Sequence, residues 1–365
     1  MDKIKTLRSV NSWLFDKADT KEKDILLDRV DREIPASVIA PRTGGHDLPG
    51  WIVLHGLTPP GRSHYNLLRF VRALASSRAA VLVPEVPEWT KLRITPEVTI
   101  PTVRAALRGL RKLDITNDGP YGIIGFSFGA PQAIITTSQK DISEQIAVAL
   151  GFGGYCDMER LVRFQMTGEH EWLGIKHHIR PDPYGRWIIG GNYLTSIPDF
   201  QNAQDVASAL LELAGEAGKQ RIMSWDPSYD VLKKKLRNKI SFDRKWLFDL
   251  FVPPSDSEPD MSPCKDLAEQ LAQVAMSSSP LLDPQPHLSQ ISTKVNLIHG
   301  KNDQLIPYTE TLRLQKLFPA ENPADTTITA LFTHAEQGNR LSSLRQEIRE
   351  ISKLLLALSR IFKML

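Results

Sequence analysis

The sequence predicts an α/β fold, with a mostly parallel central sheet, helices on both faces and a helical insertion. Three observations carry that prediction. Short, nearly all-apolar runs alternate with helix-like runs over residues 32–154. The alternation stops between residues 155 and 290 and resumes from 291 to the C-terminus. The apolar runs also lack the period of two that marks a strand with one wet face, so they read as strands buried on both sides.

The elements follow in order. The first thirty residues are expected to be helical and partly exposed. REIPASVIAP (32–41) reads as a strand and TGGHDLPG as a turn full of breakers. WIVLHG (51–56) is a short apolar strand ending in His-Gly. SHYNLLRFVRALASS then spaces Leu67, Phe70, Val71 and Leu74 for one face of a helix. AAVLVPE (79–85) is a strand, and PEVTIPTVRAALRGLRKL a helix with Val103, Leu107 and Leu110 inward. YGIIGF is the next strand, GAPQAIITTSQ begins a helix, and IAVALGFGG (146–154) is another strand.

Residues 155–290 are aromatic-rich, helical in character and without regular strand signals, apart from a Pro/Ser-rich loop, VPPSDSEPDMSP. KVNLIHG, PYTETLRLQKLF and TTITALF then read as strand, helix and strand. A C-terminal helix from about Leu341 keeps its apolar residues on one stripe at positions 341, 344, 348, 351, 355, 358 and 362. The expected organisation is therefore a core of residues 1–154 and 291–365 with residues 155–290 inserted. Alternating strands and helices dictate right-handed parallel crossovers.

Composition narrows the function. Hydrophobic residues make up 41% and charged residues 24%, the balance of a globular domain. A net charge of +3 with no aromatic-laced basic stripe argues against a nucleic-acid partner. Cys156 and Cys264 are too few and too far apart for a disulfide framework and read as reduced thiols. No signal peptide and no apolar run of about 18 residues is present, so the expectation is a cytoplasmic enzyme without a transmembrane segment. Nothing in the sequence sets the oligomeric state, and a homodimer is open.

One motif asks for chemistry. Gly125-Phe126-Ser127-Phe128-Gly129 places G-x-S-x-G between a strand and a helix. That pattern arises by chance in roughly one chain in ten of this length, so its strand-before, helix-after setting is what gives it weight. There the chain must reverse sharply, and strand and helix come too close for side chains at 125 and 129. A serine hydroxyl needs a base, and the base needs an acid to set its tautomer. Asp303 follows the strand in VNLIHGKNDQLIP, and His334 follows the last strand in ITALFTHAEQG. Parallel strands deliver these loops and Ser127 to one sheet edge, in the order Ser, Asp, His. The N–H of Phe128 and the N–H of Leu57, in LHGLTPPG, would form an oxyanion hole, with Pro59 and Pro60 stiffening the loop.

Together HGLTPPG, GFSFG, HGKNDQLIP and FTHAEQG resemble the α/β-hydrolase-fold serine hydrolases. The resemblance runs from about residue 33 to the C-terminus, except the insertion. It implies Ser127 as nucleophile, Asp303 as acid, His334 as base and residues 155–290 as a helical cap. It implies no metal or organic cofactor, and it does not carry a substrate; the aromatics of residues 155–290 point to a small-molecule, partly apolar ester, with thioesters, amides and acyl transfer open on the same machinery.

Alternatives attach to several residues. For Asp303 the alternative to the triad acid is a cap on the helix from Pro307, with Asp157 the reserve acid. His55 and His299 read as loop-shaping residues, and His64 as structural. In GEHEWLGIKHHIRPDPYGRW, His170, His177, His178, Glu169 and Glu171 invite a metal, but the spacing is not H-E-x-x-H.

Overall fold

Runs without a polar face have to meet protein on both sides, and that requirement sets the order of the sheet. The computed structural model describes residues 9, 11–13, 16–43, 46–220, 222–331, 344–362 and 364. Its strands are β1 (Thr20–Asp28), β2 (Glu33–Pro41), β3 (Gly50–Leu54), β4 (Ala80–Pro84), β5 (Tyr121–Phe126), β6 (Ile146–Phe152), β7 (Glu169–Trp172), β8 (Ile175–His178), β9 (Lys294–Gly300) and β10 (Asp325–Thr329). Its longer helices are α1 (Tyr65–Ser76), α2 (Thr99–Arg111), α3 (Gly129–Thr136), α4 (Met158–Thr167), α5 (Pro183–Tyr193), α6 (Gln204–Ala217), α7 (Asp230–Lys239), α8 (Lys245–Phe251), α9 (Met261–Ser278), α10 (Tyr308–Leu317) and α11 (Leu344–Phe362).

Among the described residues one eight-stranded sheet runs β1-β2-β4-β3-β5-β6-β9-β10. β2 is antiparallel to β1 and β4, and the pairings from β4 to β10 are parallel. β3 and β4 are buried along their whole length, as expected for central strands. Their residues split by parity between two cores. Trp51 and Val53 pack with Ile124, with Val71 of α1 and with Leu354 and Leu358 of α11. Ile52 and Leu54 join Ile123, Val103 and Leu107 of α2, and Leu210 of α6 on the opposite face. Each fully buried Leu, Ile or Val contributes about 1.5–3 kcal/mol. The start of the C-terminal helix near Leu341 lies outside the described residues.

Two expectations are corrected. Residues 20–28 form strand β1, not helix. The run KEKD favours helix locally, but nine residues pair with β2 from Thr20↔Pro41 to Asp28↔Glu33, and tertiary pairing wins. Exposed Lys21, Glu22 and Lys23 then make a charged outer edge that resists further strand addition. The insertion, expected to lack strands, contains the antiparallel hairpin β7–β8. Its turn residues Leu173 and Gly174 both take positive φ, 52° and 79°, the backbone a two-residue hairpin turn requires. Among the described residues no helix is long and apolar enough to cross a membrane.

A glycine in β5 is set by its neighbour. Gly122 pairs with Trp51 of β3, and a Cβ at 122 would sit 2.3 Å from the indole. Gly122→Ala is expected to cost about 1–3 kcal/mol through overpacking. Urea unfolding would measure it as a lowered midpoint with unchanged slope, and an unchanged midpoint would show that the indole moves aside freely.

Candidate active site

Backbone crowding places the serine. β5 ends at Phe126 and α3 begins at Gly129, leaving two residues for the reversal. A Cβ on Gly125 would lie 2.0 Å from the Gly129 carbonyl oxygen, and one on Gly129 would lie 2.6 Å from the His55 carbonyl oxygen. Neither position accepts a side chain. Ser127 between them takes φ 53°, the left-handed region that costs a non-glycine residue about 1–2 kcal/mol. Two hydrogen bonds hold it there: its N–H donates to Phe152 O at 2.8 Å, and its carbonyl accepts from Ala130 N at 2.9 Å. Aromatic packing braces both sides. Phe126 stacks on Phe152 at 4.9 Å, and Phe128 meets Trp89 edge-on at 5.2 Å.

β3 lies beside β5, so its exit loop passes the serine. A Cβ on Gly56 would be 3.2 Å from Ser127 Cβ and 3.7 Å from its Oγ. The next residue is Leu57. Among the described residues neither the Leu57 N–H nor the Phe128 N–H donates to a protein acceptor. His55 sets the direction of the Leu57 N–H. Val86 N donates to His55 Nε2 at 3.0 Å, so the ring proton sits on Nδ1 and is given to Gly56 O at 2.7 Å. Because the peptide is planar and trans, the Leu57 N–H points away from that carbonyl. Full burial pushes the ring down to about 4, so it stays neutral and keeps this tautomer.

Asp303 follows β9 and is 3% exposed. Its Oδ1 accepts from Leu305 N at 2.9 Å and Ile306 N at 3.0 Å, and its Oδ2 lies 3.4 Å from His299 Nε2. It does not cap α10, whose N-cap is Pro307. His299 holds the same loop through Ile306 O at 2.9 Å and Thr311 Oγ1 at 2.6 Å. Asp157, the reserve acid, is occupied as the N-cap of α4: it accepts from Arg160 N at 2.9 Å and pairs with the Arg160 guanidinium at 3.0 Å. His334 lies outside the described residues. His64 immediately precedes α1. His170 faces His177 across the β7–β8 hairpin with rings 5.0 Å apart, and burial with the neighbouring His177 and His178 pushes it down to about 4. Among the described residues no three metal-ligating side chains cluster.

One set of contacts had no signal in the sequence. Tyr184 of α5 donates its hydroxyl to Leu57 O at 3.0 Å, across 127 positions. A Cβ on Gly218, just after α6, would lie 2.6 Å from Pro59. Asp182 N, ahead of α5, donates to Gln304 O at 2.8 Å. The insertion therefore touches both the Leu57 loop and the loop carrying Asp303.

The parallel sheet, its two antiparallel first strands and the tight strand–serine–helix turn define an α/β-hydrolase fold. Solved structures agree. The chain is similar to Est1E from Butyrivibrio proteoclasticus with ferulic acid bound (12% identity, 93% of this chain and 97% of that one, TM-score 0.50). It is similar to a fungal esterase from Rhizomucor miehei (14% identity, 100% and 92%, TM-score 0.50). It also matches acylaminoacyl peptidase from Pyrococcus horikoshii (12% identity, TM-score 0.51), where 97% of this chain covers 43% of that one. No protein-family model and no curated protein matches the chain. At these identities the likeness is one of fold.

The neutral ring of His55 has a consequence for stability. Its value in the fold, about 4, lies below the usual 6.5, so the unfolded chain binds the extra proton first as pH falls. Its contribution is fully present above about pH 6.5 and declines toward pH 4, a loss of about 2 kcal/mol by pH 5. Urea unfolding at pH 7.5 and 5.0 is expected to show this decline in the native chain and a smaller one in His55→Asn. Equal declines would place the pH dependence elsewhere.

Proposed function

We propose that the chain is a serine hydrolase that cleaves carboxylic esters, with Ser127 as nucleophile, His334 as base and Asp303 as the acid that orients it. The observation that supports this most is the left-handed backbone of Ser127 between two glycines that admit no side chain. Such strain persists only where surroundings enforce it, and here it presents a hydroxyl at the carboxyl edge of a parallel sheet. The burial of Asp303, with one oxygen taken by two backbone N–H groups, fits a carboxylate held in one orientation.

The reaction runs in two halves. Ser127 Oγ attacks the ester carbonyl as His334 takes its proton. The N–H groups of Leu57 and Phe128 hold the oxyanion, each donor being worth about 2.7–4 kcal/mol at the transition state. His334 passes the proton to the leaving alcohol, and a water then hydrolyses the acyl-enzyme by the same route. Residues 155–290 act as the cap, and Tyr184 is the residue through which the cap positions the Leu57 loop. The aromatic content of residues 155–290 suits a partly apolar ester. The peptidase among the similar structures motivates a second reading, amide cleavage by the same steps. A non-catalytic protein of the same fold is the reading to be eliminated.

Two experiments test the proposal. A fluorophosphonate probe is expected to label the native chain at Ser127, and Ser127→Ala to lose turnover of p-nitrophenyl esters by on the order of 10⁶-fold. Wild-type turnover in that variant would sink the assignment, and faster hydrolysis of anilides than of esters would favour the amide reading. Tyr184→Phe removes one hydroxyl and is expected to lower kcat about tenfold with KM nearly constant, the pattern of a weakened transition-state contact. A change confined to KM would make Tyr184 part of the substrate wall instead.

A further inference from the structure

A second polar site lies inside the insertion, on the far side of the start of α5 from Tyr184. A cleft of about 420 Å³, counted to its open mouth, is lined by Arg180, Arg186, Trp225, Lys233, Ser255 and Glu258 among others. The free space within it is room for about one water or the oxygens of a small acid group. Three of these side chains are cations, and their surroundings differ.

Lys233 is satisfied within the protein, by Asp230 at 3.0 Å and Ser255 Oγ at 2.8 Å. Arg180 donates to Ser255 O at 2.8 Å and lies 4.9 Å from the centre of the Trp225 ring. Arg186 is the anomaly. It is 5% exposed, and among the described residues only its Nε has an acceptor, Phe251 O at 2.9 Å. Neither arginine has a carboxylate within ion-pair distance among the described residues. The acids closest to Arg186 are committed or outside: Asp182 accepts from Tyr184 N and Ser224 N, and Glu258 is exposed. Burial pushes the Arg186 guanidinium down to about 10. A guanidinium offers five N–H donors in a planar fork, and those of Arg186 without a protein acceptor among the described residues open onto the cleft, where an oxyanion can take them in place of water.

We propose that this cleft binds a small oxyanion, the carboxylate or phosphate group of an organic acid, between Arg186 and Arg180. The fork of Arg186 takes the anion's oxygens from inside, Arg180 closes on it from the Trp225 side, and the rest of such a ligand extends over the indole toward the mouth. The proposal does not rest on the catalytic reading, because it uses Arg180, Arg186 and Trp225 and none of Ser127, Asp303 or His334. The place of the cleft matters nonetheless: Arg186 and Tyr184 sit two residues apart in the first turn of α5, so occupancy bears on the helix that touches the Leu57 loop.

Calorimetric titration with inorganic phosphate and with acetate, at ionic strength matched with sodium chloride, tests the proposal on the full chain. Expected is binding of one anion per chain, accompanied by a change in tryptophan emission. Arg180→Gln, at a partly exposed position, is expected to keep the fold and weaken binding about tenfold, as the loss of one charged hydrogen-bond donor does. Arg186→Gln is expected to weaken it further. Glu258→Gln removes a repelling charge and is expected to tighten binding, a gain that loss of structure cannot mimic. Phosphate against acetate separates the two kinds of acid group. Equal affinity in the native chain and Arg180→Gln, or no heat beyond that of chloride, overturns the proposal.

Discussion

The close approach of β5 and α3 governs the candidate site. Gly125 and Gly129 face each other with no room for a methyl group, and Gly129 also abuts the His55 carbonyl at the end of β3. Three backbone segments thus meet without side chains between them. The two-residue reversal that remains can be closed only with Ser127 in left-handed geometry, and hydrogen bonds to Phe152 O and from Ala130 N hold it there. The cost of that geometry is small beside the burial of β3, β5 and β6 around it, so the sheet can impose it.

The loops at this sheet edge obey a second constraint. A chain that leaves a buried strand carries polar backbone groups that must find partners. Two His-Gly pairs meet this need in similar ways. His55, after β3, uses one ring nitrogen on Gly56 O and the other on Val86 N. His299, at the end of β9, uses one on Thr311 Oγ1 and the other on Ile306 O. Each ring spends both nitrogens on local structure. Neither is left to exchange a proton with a substrate, although both stand at the edge where a catalytic base belongs. The same loops keep the Leu57 N–H turned outward and Asp303 fixed by Leu305 N and Ile306 N.

The insertion belongs to this edge as much as the core does. The start of α5 reaches Leu57 through Tyr184 and Gln304 through Asp182, joining two core loops that lie on different strands. One turn of helix therefore senses the geometry on both sides of the serine. On its other side it carries Arg186 into a cleft rich in cations.

Much of this was readable from the chain itself. Apolar runs without alternation announced two-sided strands, and glycines at 125 and 129 announced a reversal that allows nothing larger, because both signals are local. The strand at 20–28 was hidden, since its charged residues favour helix and only pairing with β2 overrides them. The hairpin in the insertion was hidden because its turn rests on left-handed backbone at Leu173, which sequence does not advertise. Asp303 and Asp157 look alike in sequence, each an aspartate just past a strand. Their hydrogen bonds separate them, one occupied as a helix cap and the other fixed in the loop after β9. The sequence by itself determined which apolar runs are strands buried on both faces, the tight turn at Ser127 and the candidate loops. Only tertiary structure decided how His55 directs the Leu57 peptide, how Tyr184 reaches it and why, among the described residues, Arg186 finds only the Phe251 carbonyl, because each depends on atoms that meet across long stretches of chain.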